Sequence, residues 1–267
     1  MRARHAWLAL RGIVVREWLR TLRQTGRLAA ALVRPLIWLG VFAAGFRSVL
    51  GLSITPPYQT YVLYEVYVVP GLAAMMLLFH AMQTSLAMVY DREMGLMRVL
   101  LTAPLPRWYL LAVRLLANVL IVLPLVYLFL ALAKFWDVRP PSLGYAAALP
   151  ALVLAGMMLG AFGLLLSSLV RQLENFAGVM NFVIFPAFFA STALYPLWRL
   201  EDASPWLAWI ARLNPFTHAV ELIRFALYLR LESTALAVTA AAFTVFFALA
   251  ILGYDPGRGF WARRGEA

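Results

Sequence analysis

Five runs of this chain lack Asp, Glu, Lys and Arg over the length a helix needs to cross a bilayer: Val66–Tyr90, Leu115–Ala133, Pro140–Val170, Asn175–Trp198 and Ser233–Tyr254. A hydrocarbon core about 30 Å thick takes about 20 helical residues, and a segment in it must satisfy its own backbone N–H and C=O groups. The runs therefore predict membrane-spanning helices. A sixth, Leu28–Gly51, is interrupted by Arg34 and Arg47. Long cationic side chains near a helix end reach water from within the bilayer, so this run counts as the first span. The expected fold class is all-α, a polytopic membrane protein with six transmembrane helices. One domain covers residues 1–267, with an N-terminal helix at 1–27, the spans at 28–254 and a tail at 255–267.

Composition excludes the main alternatives. The chain is 64% hydrophobic and 13% charged, against roughly 45–50% apolar residues in soluble domains, and no long polar stretch leaves room for a soluble catalytic domain. Cysteine is absent, which excludes disulfides, thiolate metal sites and cysteine nucleophiles. The net charge of +11 comes almost wholly from arginines that flank the spans, so a membrane surface, and not nucleic acid, is the expected partner of that charge. The excess of Arg falls beside the N-terminal segment, the Asp91–Arg107 loop, Arg171 and the C-terminal tail. By the positive-inside rule both termini are expected to be cytoplasmic. The N-terminal residues carry repeated charge and do not read as a cleavable signal.

Three segments outside the spans have patterns of their own. On a helical projection Arg16, Arg20, Arg23 and Arg27 share one face, and Trp7, Leu8, Val14, Val15, Trp18, Leu19 and Leu22 share the other. That is the signature of an amphipathic helix lying at a membrane interface. In Asp91–Arg107, Met94, Met97, Leu100 and Leu101 recur at helical spacing beside the exposed charges Arg92, Glu93 and Arg98, and Pro104 and Pro106 end the helix. Pro196–Glu232 is too apolar for a solvated loop. Ser204-Pro205 and Asn214-Pro215 each set a capping residue before a proline at the first helical position. Two short external helices are expected there, with Glu221 and Arg224 arguing against a seventh span.

Polar side chains within the spans are candidates for a translocation path or for a seam between copies, foremost Gln83, Asn181 and Thr192, with Thr84, Ser85, Asn118, Asn175 and Ser191 beside them. Each fits an interhelical hydrogen bond equally well. Gly156, Gly160 and Gly163 recur at the small-residue spacing of close helix packing. No metal site is expected: His80 is mid-span and His218 lies in the external segment, whereas paired axial ligation needs facing imidazoles.

The "VPGLAAMMLL" opening of span two (Val69 to Leu78), the "DREMGLMRVLLTAPLPR" loop, the six-span order and "LNPFTHAVELIR" (Leu213 to Arg224) together resemble the type-2 ABC exporter permeases, which include nodulation-factor, polysaccharide and drug-efflux permeases. Asp91, Arg92, Glu93, Gly95, Thr102 and Pro104 match the family loop, with Asp91 in place of Glu, and Leu96 and Arg98 where Thr and Glu are frequent. The resemblance implies that this loop is a coupling helix docking on an ATPase subunit, with Glu93 and Arg98 setting its register. It also implies that spans one and five form a homodimer seam. These 267 residues hold no G-x-x-x-x-G-K-[ST] phosphate loop. The implied assembly is therefore two permease copies with two ABC ATPase subunits that carry ATP and Mg, in the cell inner membrane, exporting a hydrophobic or amphiphilic cargo. The permease itself is expected to be no enzyme and to hold no cofactor. A redox-complex anchor or membrane enzyme would need clustered intramembrane carboxylates or paired histidines, and an ion-coupled carrier a midplane charge relay.

Overall fold

A computed structural model of the protein describes residues 3–23, 25–46, 56–58, 62–94, 106–170 and 172–254. Among these the chain is all-helical in class, with short turns between helices and no strand. The helices are α1 (Ala3–Leu22), α2 (Thr25–Phe46), α3 (Tyr64–Glu93), α4 (Arg107–Leu132), α5 (Ser142–Leu169), α6 (Leu173–Phe189), α7 (Leu197–Ala203), α8 (Pro205–Leu213), α9 (Pro215–Leu227) and α10 (Ser233–Gly253).

Among the described residues four helices are long and apolar enough to cross a membrane: α3, α4 with the 3-10 turn that follows it, α5 and α10. The other two expected spans are shorter apolar helices, Leu28–Val41 within α2 and Leu173–Phe189. Span five therefore stops at Phe189, short of the expected Trp198. The chain turns at 190–196, where the Ser191 hydroxyl donates to the Phe188 carbonyl (2.6 Å) and accepts from the Ala193 amide (3.1 Å). Pro196 disfavours helix in the residue before it. The segment that follows forms three short helices, not two.

α3 and α5 form the centre. α3 packs against α2, α4, α5, α6 and α9, and α5 against α3, α4, α9 and α10. The least apolar of the four long helices, α3, is the most buried, with 67% of its central window enclosed, while α10 has 17%. Lipid solvates an apolar helix as well as protein does, so packing in a membrane rests on close fit and polar contacts. A polar helix gains from the centre, and α10 loses little at the rim. Close fit is visible where α5 meets its neighbours: a Cβ on Gly160 would stand 2.8 Å from Leu115 Cδ2, and one on Gly156 3.0 Å from Val119. Gly71 of α3 lies against the Ala193 backbone, where a Cβ would come within 2.6 Å of the carbonyl oxygen. The small-residue spacing expected on α5 is thus a packing surface.

α1 packs against α4 and α2. Glu17 is buried and paired with Arg16 (2.8 Å), while Val15, Leu19 and Leu22 stay exposed.

Candidate functional site

Between α1, α2, α3 and α4 lies a cavity of about 160 Å³. Its lining combines polar side chains, Glu17, Arg34, His80, Gln83, Thr84, Arg114 and Asn118, with apolar ones, Met75, Met76, Phe79, Val122 and Leu125. Three polar span residues singled out by sequence, Gln83, Thr84 and Asn118, therefore meet in one place. Gln83, a candidate for a path or a seam, is one of the residues lining this cavity. Arg34 lies over the face of Phe79, 4.4 Å from the ring centroid, a cation–π contact.

Below that cavity, the last turn of α3 ties down three helices with three consecutive residues. Asp91 Oδ2 pairs with Arg114 Nη2 of α4 at 2.7 Å, both side chains largely buried. Arg92 donates to the carbonyl of Ser167 (2.9 Å) and to that of Val170, at the end of α5. Those carbonyls lie where a helix leaves its acceptors unfilled and its dipole is negative. Glu93 accepts from the amide of Leu173 (2.8 Å), the first residue of α6, where the dipole favours a carboxylate. Ser167 Oγ lies 2.6 Å from the hydroxyl of Tyr254, which brings in the end of α10. The reading of Arg92 as an exposed loop charge is corrected here: the free carbonyls of α5 draw it inward. Gly95, Arg98, Thr102 and Pro104 lie outside the described residues.

At the opposite end of α3, Arg224 of α9 is 1% exposed. Its guanidinium donates to the Thr192 carbonyl (2.8 Å), pairs with Glu221 and lies over the Tyr67 ring at 3.9 Å. Burial by itself lowers its pKa, but the Glu221 carboxylate and the Tyr67 and Tyr58 rings outweigh this and hold it above the ordinary arginine value. The Tyr67 hydroxyl donates to the same Thr192 carbonyl (2.9 Å), and that of Tyr64 to Leu194 (3.1 Å). Asn214 does what its place before Pro215 predicts, its Oδ1 accepting from the Phe216 amide (3.0 Å). Its Nδ2 also donates to the carbonyls of Ala187 and Ala190, each at 2.8 Å. One side chain thus caps the start of α9 and the end of α6. Ser204, the other expected cap, makes no capping bond through its side chain.

Thr192 is 2% exposed. With α6 ended at Phe189, the 190–196 turn folds back beneath Tyr67 and Arg224, which both donate to the Thr192 carbonyl. Asn181 is exposed on α6, beside Phe182, which is 80% exposed, and Phe185 and Phe189. Trp38 of α2 packs edge-on against Phe188 and Phe189, and Val33, Ile37 and Val41 of α2 are exposed.

Sequence reasoning read Arg34 as a charge snorkelling from the first span and gave Arg114, one residue before the Leu115–Ala133 run, no role. Their position was the signal, because an ionisable group within a bilayer marks a polar site or a partner by default. The partner Asp91 lies 23 residues away from Arg114 and has no local cue.

Residues 9–228 match the family model described as ABC-2 type transporter. The chain is 29% identical over 224 residues to the transport permease ycf38 of Porphyra purpurea, covering 81% of this chain and 72% of that protein. It is 28% identical over 219 residues to the protein of the same name from Cyanophora paradoxa, covering 80% and 72%. It is also 30% identical over 164 residues to the multidrug ABC transporter permease YbhR of Escherichia coli strain K12, covering 60% of this chain and 43% of that protein.

Proposed function

This chain belongs to the ABC-2 type transporter family, and from that premise we propose that it is the membrane subunit of an ATP-driven exporter of a hydrophobic or amphiphilic cargo. Two copies pair along the side formed by α2 and α6, and two separately encoded ABC ATPase subunits, carrying ATP and Mg, dock beneath them. The assembly sits in the inner membrane with both termini cytoplasmic. α1 rests on the cytoplasmic membrane surface, and α7 to α9 lie at the outer one, where the exposed Trp206 and Trp209 suit an interface.

The observation that carries this reading is the fastening of α3 to the ends of α4, α5 and α6 by Asp91, Arg92 and Glu93. The loop that begins at the next residues holds Gly95, Arg98, Thr102 and Pro104, the elements of the coupling helix. A push on that loop reaches the helix ends through short bonds, as a transmission element requires. The exposed Phe182, Phe185 and Phe189 of α6 supply the apolar face that a homodimer would cover.

The test is reconstitution of the purified chain with its ATPase. Co-purification as a two-plus-two complex and ATP-dependent movement of a fluorescent amphiphile are expected. Transport by the isolated chain on an ion gradient would overturn the reading.

A further inference from the structure

The charges around the cavity between α1 and α4 do not balance among the described residues. Glu17 is paired with Arg16, and Arg114 with Asp91. Arg34, exposed at the cavity's edge, makes no ion pair among the described residues; the Phe79 ring covers one face of its guanidinium. A cation–π contact leaves the in-plane N–H donors of the fork available. Arg34 is exposed at the edge of this cavity on the helix read as the first span, so its charge calls for an anion that an apolar medium can deliver. Gln83 and Asn118 bring two further amides to the same wall, and Thr84, whose hydroxyl donates to the Ala81 carbonyl, keeps an acceptor oxygen.

We propose that this cavity binds the phosphate-bearing head group of an anionic membrane lipid. The phosphate is held in the guanidinium fork of Arg34, with Gln83 and Asn118 donating to its remaining oxygens. The volume of about 160 Å³ is near the roughly 150 Å³ that accommodates one benzene in an engineered cavity. It takes a head-group fragment and not a whole lipid, so the acyl chains stay in the bilayer, leaving past the part-exposed apolar walls at Phe79 and Leu125. Planar bidentate contacts favour phosphate over a neutral polar group, the quaternary cation of a phosphatidylcholine head group would offset its phosphate's charge beside Arg34, and the apolar exit favours a lipid over free phosphate. The site lies within one protomer and needs no second copy.

The proposal rests on the membrane-permease reading but is tested without the ATPase, so the two fail separately: loss of ATPase binding would sink the exporter and leave the lipid result standing. The full chain, purified in nonionic detergent, is titrated by native mass spectrometry with phosphatidylglycerol, with phosphatidylcholine and with inorganic phosphate. One phosphatidylglycerol per chain is expected, bound at least tenfold more tightly than phosphatidylcholine and not displaced by millimolar phosphate. Arg34→Gln should bring phosphatidylglycerol down to the phosphatidylcholine level, and Asn118→Leu, which alters no charge, should weaken it severalfold. Should Arg34→Gln not fold, Asn118→Leu and Arg34→Lys decide, the latter retaining partial binding. Equal binding of the two lipids, undiminished binding by the variants, or displacement by inorganic phosphate would overturn the proposal.

Discussion

Arg224 lies over Tyr67, 3.9 Å from its ring centroid, and the two side chains donate to one acceptor, the carbonyl of Thr192. Arg224 belongs to the segment before the last span and Tyr67 to the start of α3, so this contact clamps α9, α3 and the 190–196 turn together. A buried cation is tolerated only when paired and hydrogen-bonded. Glu221, Thr192 and the ring supply both.

Arg224→Met should therefore leave Glu221 and the Thr192 carbonyl short of a partner, at a cost of about 3–5 kcal/mol for breaking a buried pair from one side. Thermal unfolding in detergent should show a midpoint lowered by several degrees. Arg224→Lys should recover only part, because an ammonium lacks the planar fork and the ring stacking. A wild-type midpoint for both variants would show the clamp to be dispensable.

Asn214 caps two helix ends, and its substitutions separate the two. Asn214→Ala should cost at least the ~1 kcal/mol of a lost N-cap, and more because the Ala187 and Ala190 carbonyls also lose their donor. Asn214→Asp keeps the acceptor for Phe216 but sets a carboxylate against the negative end of α6. Asp, ordinarily as good an N-cap as Asn, should here be no better than Ala in a thermal melt.

The Glu93 bond to the Leu173 amide is local enough to be read by hydrogen exchange. Glu93→Ala should raise exchange at the start of α6 severalfold, whereas Glu93→Gln, which retains a carbonyl acceptor, should raise it less. Arg92→Gln should loosen the same junction from the α5 side. Unchanged exchange in Glu93→Ala and Arg92→Gln would mean that the junction is held by packing alone.

Asp91 and Arg114 should be energetically coupled. A double-mutant cycle with Asp91→Ala and Arg114→Ala should give an interaction of about 0.5–3 kcal/mol, the range for residues in direct contact. Additive effects would show that the two charges are each solvated independently.

A chain without cysteine permits clean crosslinking of the proposed seam. Cysteines at Phe182 and Ile37 should form dimers in membranes, and one at Thr192 should not, being enclosed within a protomer. Crosslinking at Thr192, or none at Phe182, would relocate the seam.

The broad architecture was readable from the chain. The charge-free runs located α3, α4, α5 and α10, because a bilayer admits no other solution for apolar sequence of that length. The glycine spacing on α5 foretold close packing, and Asn214-Pro215 a helix start. Less readable was where span five ends. Hydropathy stays high through Leu197 and Trp198, while the break depends on Ser191 and on Asn214 reaching back from the next segment.

By itself the sequence determined the all-helical class, the positions of the long spans and the family pattern, all of which follow from local composition and periodicity. Only the tertiary structure decided what the polar residues do. It turned Arg92 inward onto α5, enclosed Thr192, paired Asp91 with Arg114 and gathered Gln83, Asn118 and Arg34 around one cavity. The physical reason is that a polar group in an apolar medium must find a partner at hydrogen-bonding distance. Hydropathy and helical period say which residues need one, and only the packing of helices distant in sequence supplies it.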